Sequence, residues 1–232
     1  MNFFSWDRFN EAWTWILPYL PITLKFVIVC IFLSTIAAIA IAAIRIKNIP
    51  VARQILGIYV SYMRGTPFRV QLMVVYYGVP VLVNSIFGVN ISRWDGFIFA
   101  EIAMIMNESA FLGETIRGAL LAVPVTQTEA GYSIGMTGPQ TFFRIVLPQA
   151  IKTLIPAYST TLVGILQSSS MLYTIGVIEI VARARAIGAK TSHMFEGYAV
   201  CGIIYIVFSL LIKFGSHKLE NRMNYGRGVN AV

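Results

Sequence analysis

From Phe26 to Ile44 the chain carries no charged residue, and the only hydroxyls in that stretch are those of Ser34 and Thr35. About 20 predominantly apolar residues suffice to cross the hydrocarbon core of a bilayer. Trp6, Trp13, Trp15 and Tyr19 precede the run, as an interfacial aromatic belt does, and Arg45, Lys47 and Pro50 follow it. The charges ahead of it are mixed (Asp7, Arg8, Glu11), and the run is longer than the 7–15 residues of a signal-peptide core. It reads as a retained span. Composition agrees: 57% of the 232 residues are apolar and 12% charged, against about 25% charged in a soluble domain.

Four further candidate spans follow, at about Val70–Phe87 (with an earlier start near Ile58 open), Gly96–Leu121, Thr153–Ile178 and Gly197–Ile212. The third is interrupted by Glu101, Asn107, Glu108 and Glu114. The fourth is marked by Pro156, Gly164 and Gln167-Ser168-Ser169-Ser170, and the last is short enough that its flanking charges must snorkel. Five spans place the termini on opposite sides. With the N-terminus outside, the inner side holds Arg45, Lys47, Arg53, Arg117, Arg144, Lys152, Lys213, Lys218, Arg222 and Arg227, and this cytoplasmic excess sets the orientation. Arg183, Arg185 and Lys190 then fall outside, where an amphipathic interfacial segment would accommodate them. The expected layout is an external or interfacial segment over 1–20, one all-α transmembrane domain over 21–217 and a cytoplasmic tail over 218–232.

The net charge of +8 fits loops facing anionic lipid. No basic block interleaved with aromatics points to nucleic acid. Cys30 and Cys201 lie within apolar stretches and read as inert buried thiols; neither a metal-ligand spacing nor a cofactor motif is present.

Between the third and fourth spans, Val123 to Lys152 is too polar to cross and too patterned for a plain loop. Thr126-Gln127-Thr128-Glu129 reads as a capped helix start. Gly131 and Gly135 remove side-chain bulk, and Gly138-Pro139 reads as a turn that ends one helix and begins another. A short helix, a sharp turn and a second short helix are expected, with Glu129 available to a basic group on another protein.

Glu129-Ala130-Gly131, three residues, Gly135, nine residues, then Ile145-Val146-Leu147-Pro148 resembles the cytoplasmic coupling signature of ABC importer permeases: Glu-Ala-Ala, three residues, Gly, nine residues, Ile-x-Leu-Pro. Every spacing matches, and Gly131 for the second Ala is the one departure. Arg64-Gly65-Thr66-Pro67 with Gln71 and Tyr76-Tyr77-Gly78-Val79-Pro80, Glu114-Thr115-Ile116-Arg117-Gly118, and Ile175-Gly176-Val177-Ile178-Glu179 are similar to patterns of the polar amino acid subfamily, whose members serve histidine, glutamate, glutamine, arginine or cystine. The likeness runs from about Leu17 to Met223. It implies a type I importer transmembrane domain of a bacterial inner membrane, working as a homodimer or beside a sister permease. It also implies two copies of an ATP-binding subunit docked on the loop 123–148 and an external solute-binding protein. Glu129, Ala130, Gly131, Gly135, Ile145, Leu147 and Pro148 would carry the coupling. The chain has no phosphate-binding G-x-x-x-x-G-K-[ST] loop of its own, so ATP hydrolysis is expected in a separate subunit.

Ionisable groups within a bilayer are functional candidates by default. Glu101 and Glu108 are seven residues apart and share a helix face at about 100° per residue, whereas Glu114 and Arg117 have the spacing of a structural ion pair. Set against the subfamily pattern, Glu108 adds a carboxylate where a small or hydroxyl residue is usual, and Gln167-Ser168-Ser169-Ser170-Met171 stands where Lys-Asp-Thr-Ser-Leu often occurs. Glu108, Gln167, Ser168, Gln71 and Thr66 are therefore candidates for the substrate path; alternatively Glu108 faces a sister subunit. A secondary transporter is the rival reading, but matched broken helices in repeated halves are not visible. An intramembrane enzyme would need a nucleophile–base pair or a metal cluster within the spans, and the sequence offers no convincing set.

Overall fold

The computed structural model describes residues 4–224, and every element among them is helical. The expected tail over 218–232 thus lies partly outside the described residues, as does Arg227. Helices α1 (Trp6–Ile16) and α2 (Leu20–Ile46) run almost continuously through a single 3-10 turn and form the first span. Ile28, Phe32, Ile36 and Ile39 of α2 are exposed along one face, the helical spacing of a lipid-facing stripe.

The second span is shorter than the earliest start read from the sequence. Helix α3 (Pro50–Gly65) is separate and stops at the Thr66-Pro67 pair, because proline drives the residue before it out of the helical region; Thr66 has φ −120° and ψ 143°. Crossing begins at Phe68 and proceeds through α4 (Phe68–Met73), a π-helical segment (Val74–Gly78) and α5 (Val79–Phe87). The π segment has a visible cause. Pro80 lacks an N–H, and its ring would clash with the carbonyl four residues earlier, which the wider π turn relieves.

Helix α6 (Gly96–Leu121) has the boundaries read from the sequence and is started by Asp95, whose carboxylate accepts the Phe97 N–H at 2.9 Å. It packs along α2 in parallel. Phe26 meets Phe97 near one end, with ring centroids 6.0 Å apart; Ile41 meets Gly113 further along; and Arg45 pairs with Glu114 near the other end. Two parallel helices in one bundle require an odd number of crossings between them, and α4–α5 supplies that crossing. Gly113 permits the close approach, since a Cβ there would lie 2.9 Å from Ile41 Cγ2.

After α7 (Val125–Ser133), the chain turns into α8 (Gly138–Thr141), which continues through a second π segment (Phe142–Val146) into α9 (Leu147–Ser168) and a 3-10 turn ending at Ile175. The expected second short helix is thus the beginning of the helix of the fourth span, Gly138–Ile175, which starts earlier than Thr153 and is long and apolar enough to cross when taken together with Ile180–Thr191. Pro148 again follows a π segment by two residues, so the same relief applies. Arg183, Arg185 and Lys190 lie on a helix, α10 (Ile180–Thr191), capped by Glu179 and bent 50° from the fourth span. Helix α11 (Met194–Asn224) extends beyond both ends of the fifth span read from the sequence. It runs antiparallel to α9, with Tyr205 bonded to Ser169 at 3.1 Å and Ser216 to the Ile155 carbonyl at 3.5 Å.

The main core joins α2, α4, α6 and α9 around Phe26, Leu72, Phe99, Met104 and Leu166. A second core joins α1, α10 and α11 around Ile16, Ile180, Val200 and Ile204. Gly113→Leu is expected to wedge α2 from α6, an overpacking cost of about 1–3 kcal/mol, and to lower the thermal midpoint of the detergent-purified protein. Gly57→Leu, at a position with open space around it, leaves that midpoint nearly unchanged.

Candidate coupling segment and transport path

Helix α7 does not start as its sequence suggests. Its N-cap is Pro124 and no side chain caps it; Thr126 lies inside the helix. Its other end is closed by backbone alone. Gly135 has φ +81°, its N–H bonds to the Tyr132 carbonyl at 2.9 Å, and the Met136 N–H bonds to the Gly131 carbonyl at 3.0 Å. This pair of bonds is the Schellman arrangement, which needs a left-handed residue at Gly135. Open space surrounds that glycine, so backbone conformation rather than crowding selects it.

Gly131 is selected by crowding. It is buried, and a Cβ there would lie 2.7 Å from Thr141 Cγ2 and 3.2 Å from Ile145 Cδ1. The departure from alanine therefore seats α7 directly against the base of the fourth span. That base is capped by a reciprocal box: Thr137 Oγ1 accepts the Gln140 N–H, and Gln140 Oε1 accepts the Thr137 N–H at 2.9 Å. Gln149 Nε2 adds a bond to Gln127 Oε1 at 3.2 Å. The segment is thus a hairpin pinned at its turn and along its seam.

Its outward surface mixes apolar side chains with polar ones (Thr126, Gln127, Ser133, Gln140), and it carries one carboxylate and the exposed Arg144. Val125, Tyr132, Ile134 and Phe143 are exposed, Ile134 by 77%, and Glu129, Ala130 and Pro148 are exposed as well. Ile145 and Leu147 are half-buried. The exposed Glu129 side chain has no hydrogen bond or ion pair among the described residues, although its carbonyl accepts the Ser133 hydroxyl at 2.9 Å. Just before the hairpin, Glu114 pairs with Arg117 at 3.0 Å and with Arg45 of α2. Arg45, read from the sequence only as a flanking cation, proves to tie the last turns of two spans together.

The polar groups of the spans separate into two sets. Gln71 is buried; its amide donates to Thr66 Oγ1 at 2.7 Å and to the Met63 carbonyl at 2.9 Å, and its carbonyl accepts Asn107 Nδ2 at 2.9 Å. Gln71, Thr66 and Asn107 together staple the break between α3 and α4 to the middle of α6. Tyr59 adds a second link from α3 to α6, bonding Ser109 at 2.9 Å and the Met106 carbonyl at 2.5 Å. Sequence reasoning missed Asn107 and Tyr59 as partners, because their bonds cross more than thirty residues of chain.

Glu108 behaves differently. It is half-buried on α6, and its carboxylate has no hydrogen bond or ion pair among the described residues. Gln167 is exposed and Ser168 half-buried at the end of α9, again without side-chain partners there. The neighbouring Ser169 is buried and bonded to the Leu166 carbonyl at 2.6 Å. These uncommitted polar groups sit on spans that share the main core.

Residues 31–225 match the family of binding-protein-dependent transport system inner membrane components. The chain is 34% identical over 205 residues to the L-cystine transport system permease protein TcyL of Bacillus subtilis, with 88% of this chain and 85% of the relative covered. It is 32% identical over 208 residues to the arginine transport system permease protein ArtQ of the same organism, covering 90% and 92%. Its backbone resembles that of a solved amino acid ABC transporter crystallised with histidines, with a TM-score of 0.80, 28% identity and coverage of 96% and 99%. A methionine ABC transporter in an inward-facing conformation shares the fold at a TM-score of 0.71 and 19% identity. The chain belongs to the binding-protein-dependent transport system inner membrane components and is a permease subunit of the amino acid ABC importer type.

Proposed function

We propose that this permease turns ATP-driven motion of a separate subunit into alternating access for a polar amino acid, through the hairpin 123–148. The observation that carries this reading is the construction of the hairpin. An exposed, Glu129-bearing face with Val125 and Tyr132 is presented outward by α7, which is locked to α8, and α8 is continuous with a span. A push on α7 therefore reaches the bilayer through packed atoms and helix rather than through loose loop. Two ATP-binding subunits would meet this face in an assembly of two permeases, identical or paired with a sister, and a solute-binding protein would deliver substrate at the opposite end. In that assembly the partner biases two packings of one bundle, and the hairpin transmits the bias.

The substrate path proposed here runs past Glu108, Gln167 and Ser168, with Gln71 and Thr66 shaping its wall. The unpaired Glu108 carboxylate supports this assignment, because a charge left without a partner in a span otherwise carries a penalty with no return. An amino acid brings an ammonium group that would pair with it. Cystine, glutamine and basic amino acids all satisfy that requirement.

Three measurements test the reading. Gly135→Val imposes left-handed strain on the order of 1–3 kcal/mol, and ATP-driven uptake in proteoliposomes containing the ATP-binding subunit should fall by about tenfold or more. Unchanged uptake, in Gly135→Val and in Glu129→Lys alike, would remove the hairpin from the coupling path. Glu108→Gln should raise the KM for uptake roughly tenfold, the loss expected for a charge-assisted hydrogen bond; an unaltered KM and selectivity would take Glu108 out of the path. With the N-terminus outside, a membrane-impermeant maleimide should label Ala189→Cys in intact cells and Ser133→Cys only after lysis. The reverse pattern would invert the orientation. The native Cys30 and Cys201 are buried and should not interfere.

A further inference from the structure

At the end of the bundle away from the hairpin, α1, α10 and the first turn of α11 enclose a cavity of about 180 Å³. It is lined by both charged and aromatic side chains, and the pairing of the charges is uneven. Glu11 is engaged by Arg8 at 2.8 Å. Glu196, buried, accepts the Ser5 N–H at 2.9 Å and bonds His193 Nδ1 at 3.0 Å. Both carboxylates are therefore matched. Arg183 and Lys190, which also line the cavity, have no anionic partner among the described residues.

These two cations are placed for a shared ligand. They are seven residues apart on α10, so they lie on one face two turns from each other. Arg183 is held in orientation by aromatic rings, with its guanidinium carbon 5.4 Å from the Trp15 centroid and 5.3 Å from that of Tyr19. Its Nε is sealed from solvent and makes no hydrogen bond. A guanidinium that has lost part of its hydration, has gained no acceptor and is fixed in place is preorganised for an oxyanion, which it can bind through its remaining donors.

We propose that this cavity binds a phosphate-bearing anion, with Arg183 as the oriented donor and Lys190 as the second charge. A phosphate group presents several acceptor oxygens and can bridge two cations two helical turns apart. The surroundings favour a lipid phosphodiester as its source: Trp15, which lines the cavity, is 44% exposed, and Trp6 and Leu17, at the start of the same helix and just past its end, are exposed as well, aromatic and apolar groups of the kind that sit at headgroup level. The bound headgroup would clamp α1, the start of the first span, to α10, beyond the bend that follows Ile175.

The test uses the full-length purified protein. In phosphatidylcholine nanodiscs doped with phosphatidylglycerol, native mass spectrometry should find phosphatidylglycerol retained in preference to phosphatidylcholine. In a parallel arm, lipid-depleted protein in neutral detergent is titrated with inorganic phosphate and its thermal midpoint followed, so that a free anion is told apart from a headgroup. Arg183→Gln and Lys190→Gln should each weaken retention, or the phosphate-induced shift, by about fivefold, the effect of one cation at a membrane surface. Lys190 is exposed, so its replacement tests the site even if Arg183→Gln misfolds. Absence of both phosphatidylglycerol preference and phosphate response, or either response unchanged in a folded Lys190→Gln protein, overturns the proposal.

Discussion

Within hydrocarbon, a backbone N–H or C=O has no water to turn to, so each must be satisfied by the protein itself. That requirement bears on how this chain treats three of its prolines. Pro80 and Pro148 each remove a donor inside a span, and in both places the helix widens into a π segment rather than breaking. Where the helix does break, at Thr66-Pro67, the amide of Gln71 donates to the Met63 and Thr66 carbonyls and Asn107 donates to the Met63 carbonyl, taking up the freed groups. Continuity of hydrogen bonding decides which irregularities the bundle tolerates and where.

The same economy shapes the mechanical arrangement. Helices α2 and α6 run parallel in close contact, and their final turns are bound by Glu114 between Arg45 and Arg117. Three charges in one place would be a liability in lipid, but paired near the end of two spans they form a fixed floor beneath the main core. The hairpin leaves from this floor. Its own rigidity comes from backbone geometry at Gly135 and contact at Gly131, not from buried apolar bulk, so its apolar side chains remain free to face a partner. The second core, around α1 and α10, is held by aromatic and apolar contacts at the other end.

Much of this was legible in the amino-acid order. The span at about Gly96–Leu121 was readable despite its carboxylates, although Asp95, which caps its start, went unread. The coupling signature located the hairpin. Its glycines, however, were legible as small residues without revealing that one answers to dihedral angle and the other to proximity. Thr126-Glu129 misled because a capping pattern competes with Pro124, which already fixes an extended entry. The fourth span was placed too late because Arg144 and Lys152 interrupt its apolar run, so the helix begun at Gly138-Pro139 was read as separate from it. The bonds of Gln71 to Asn107 and of Arg45 to Glu114 were out of reach, because nothing local in the sequence specifies which distant groups will meet.

From Gly138 to Ile175 the polypeptide is a single shaft. The first residue beyond it in the left-handed region is Gly176, at φ +84°, immediately before the 50° bend into α10. Torque applied to the foot of such a shaft is delivered at its head, since a hydrogen-bonded helix is stiffer than the joint that follows. The bend after Ile175 would then act as the elbow of a crank, translating a small tilt at one membrane face into a swing of α10 at the other.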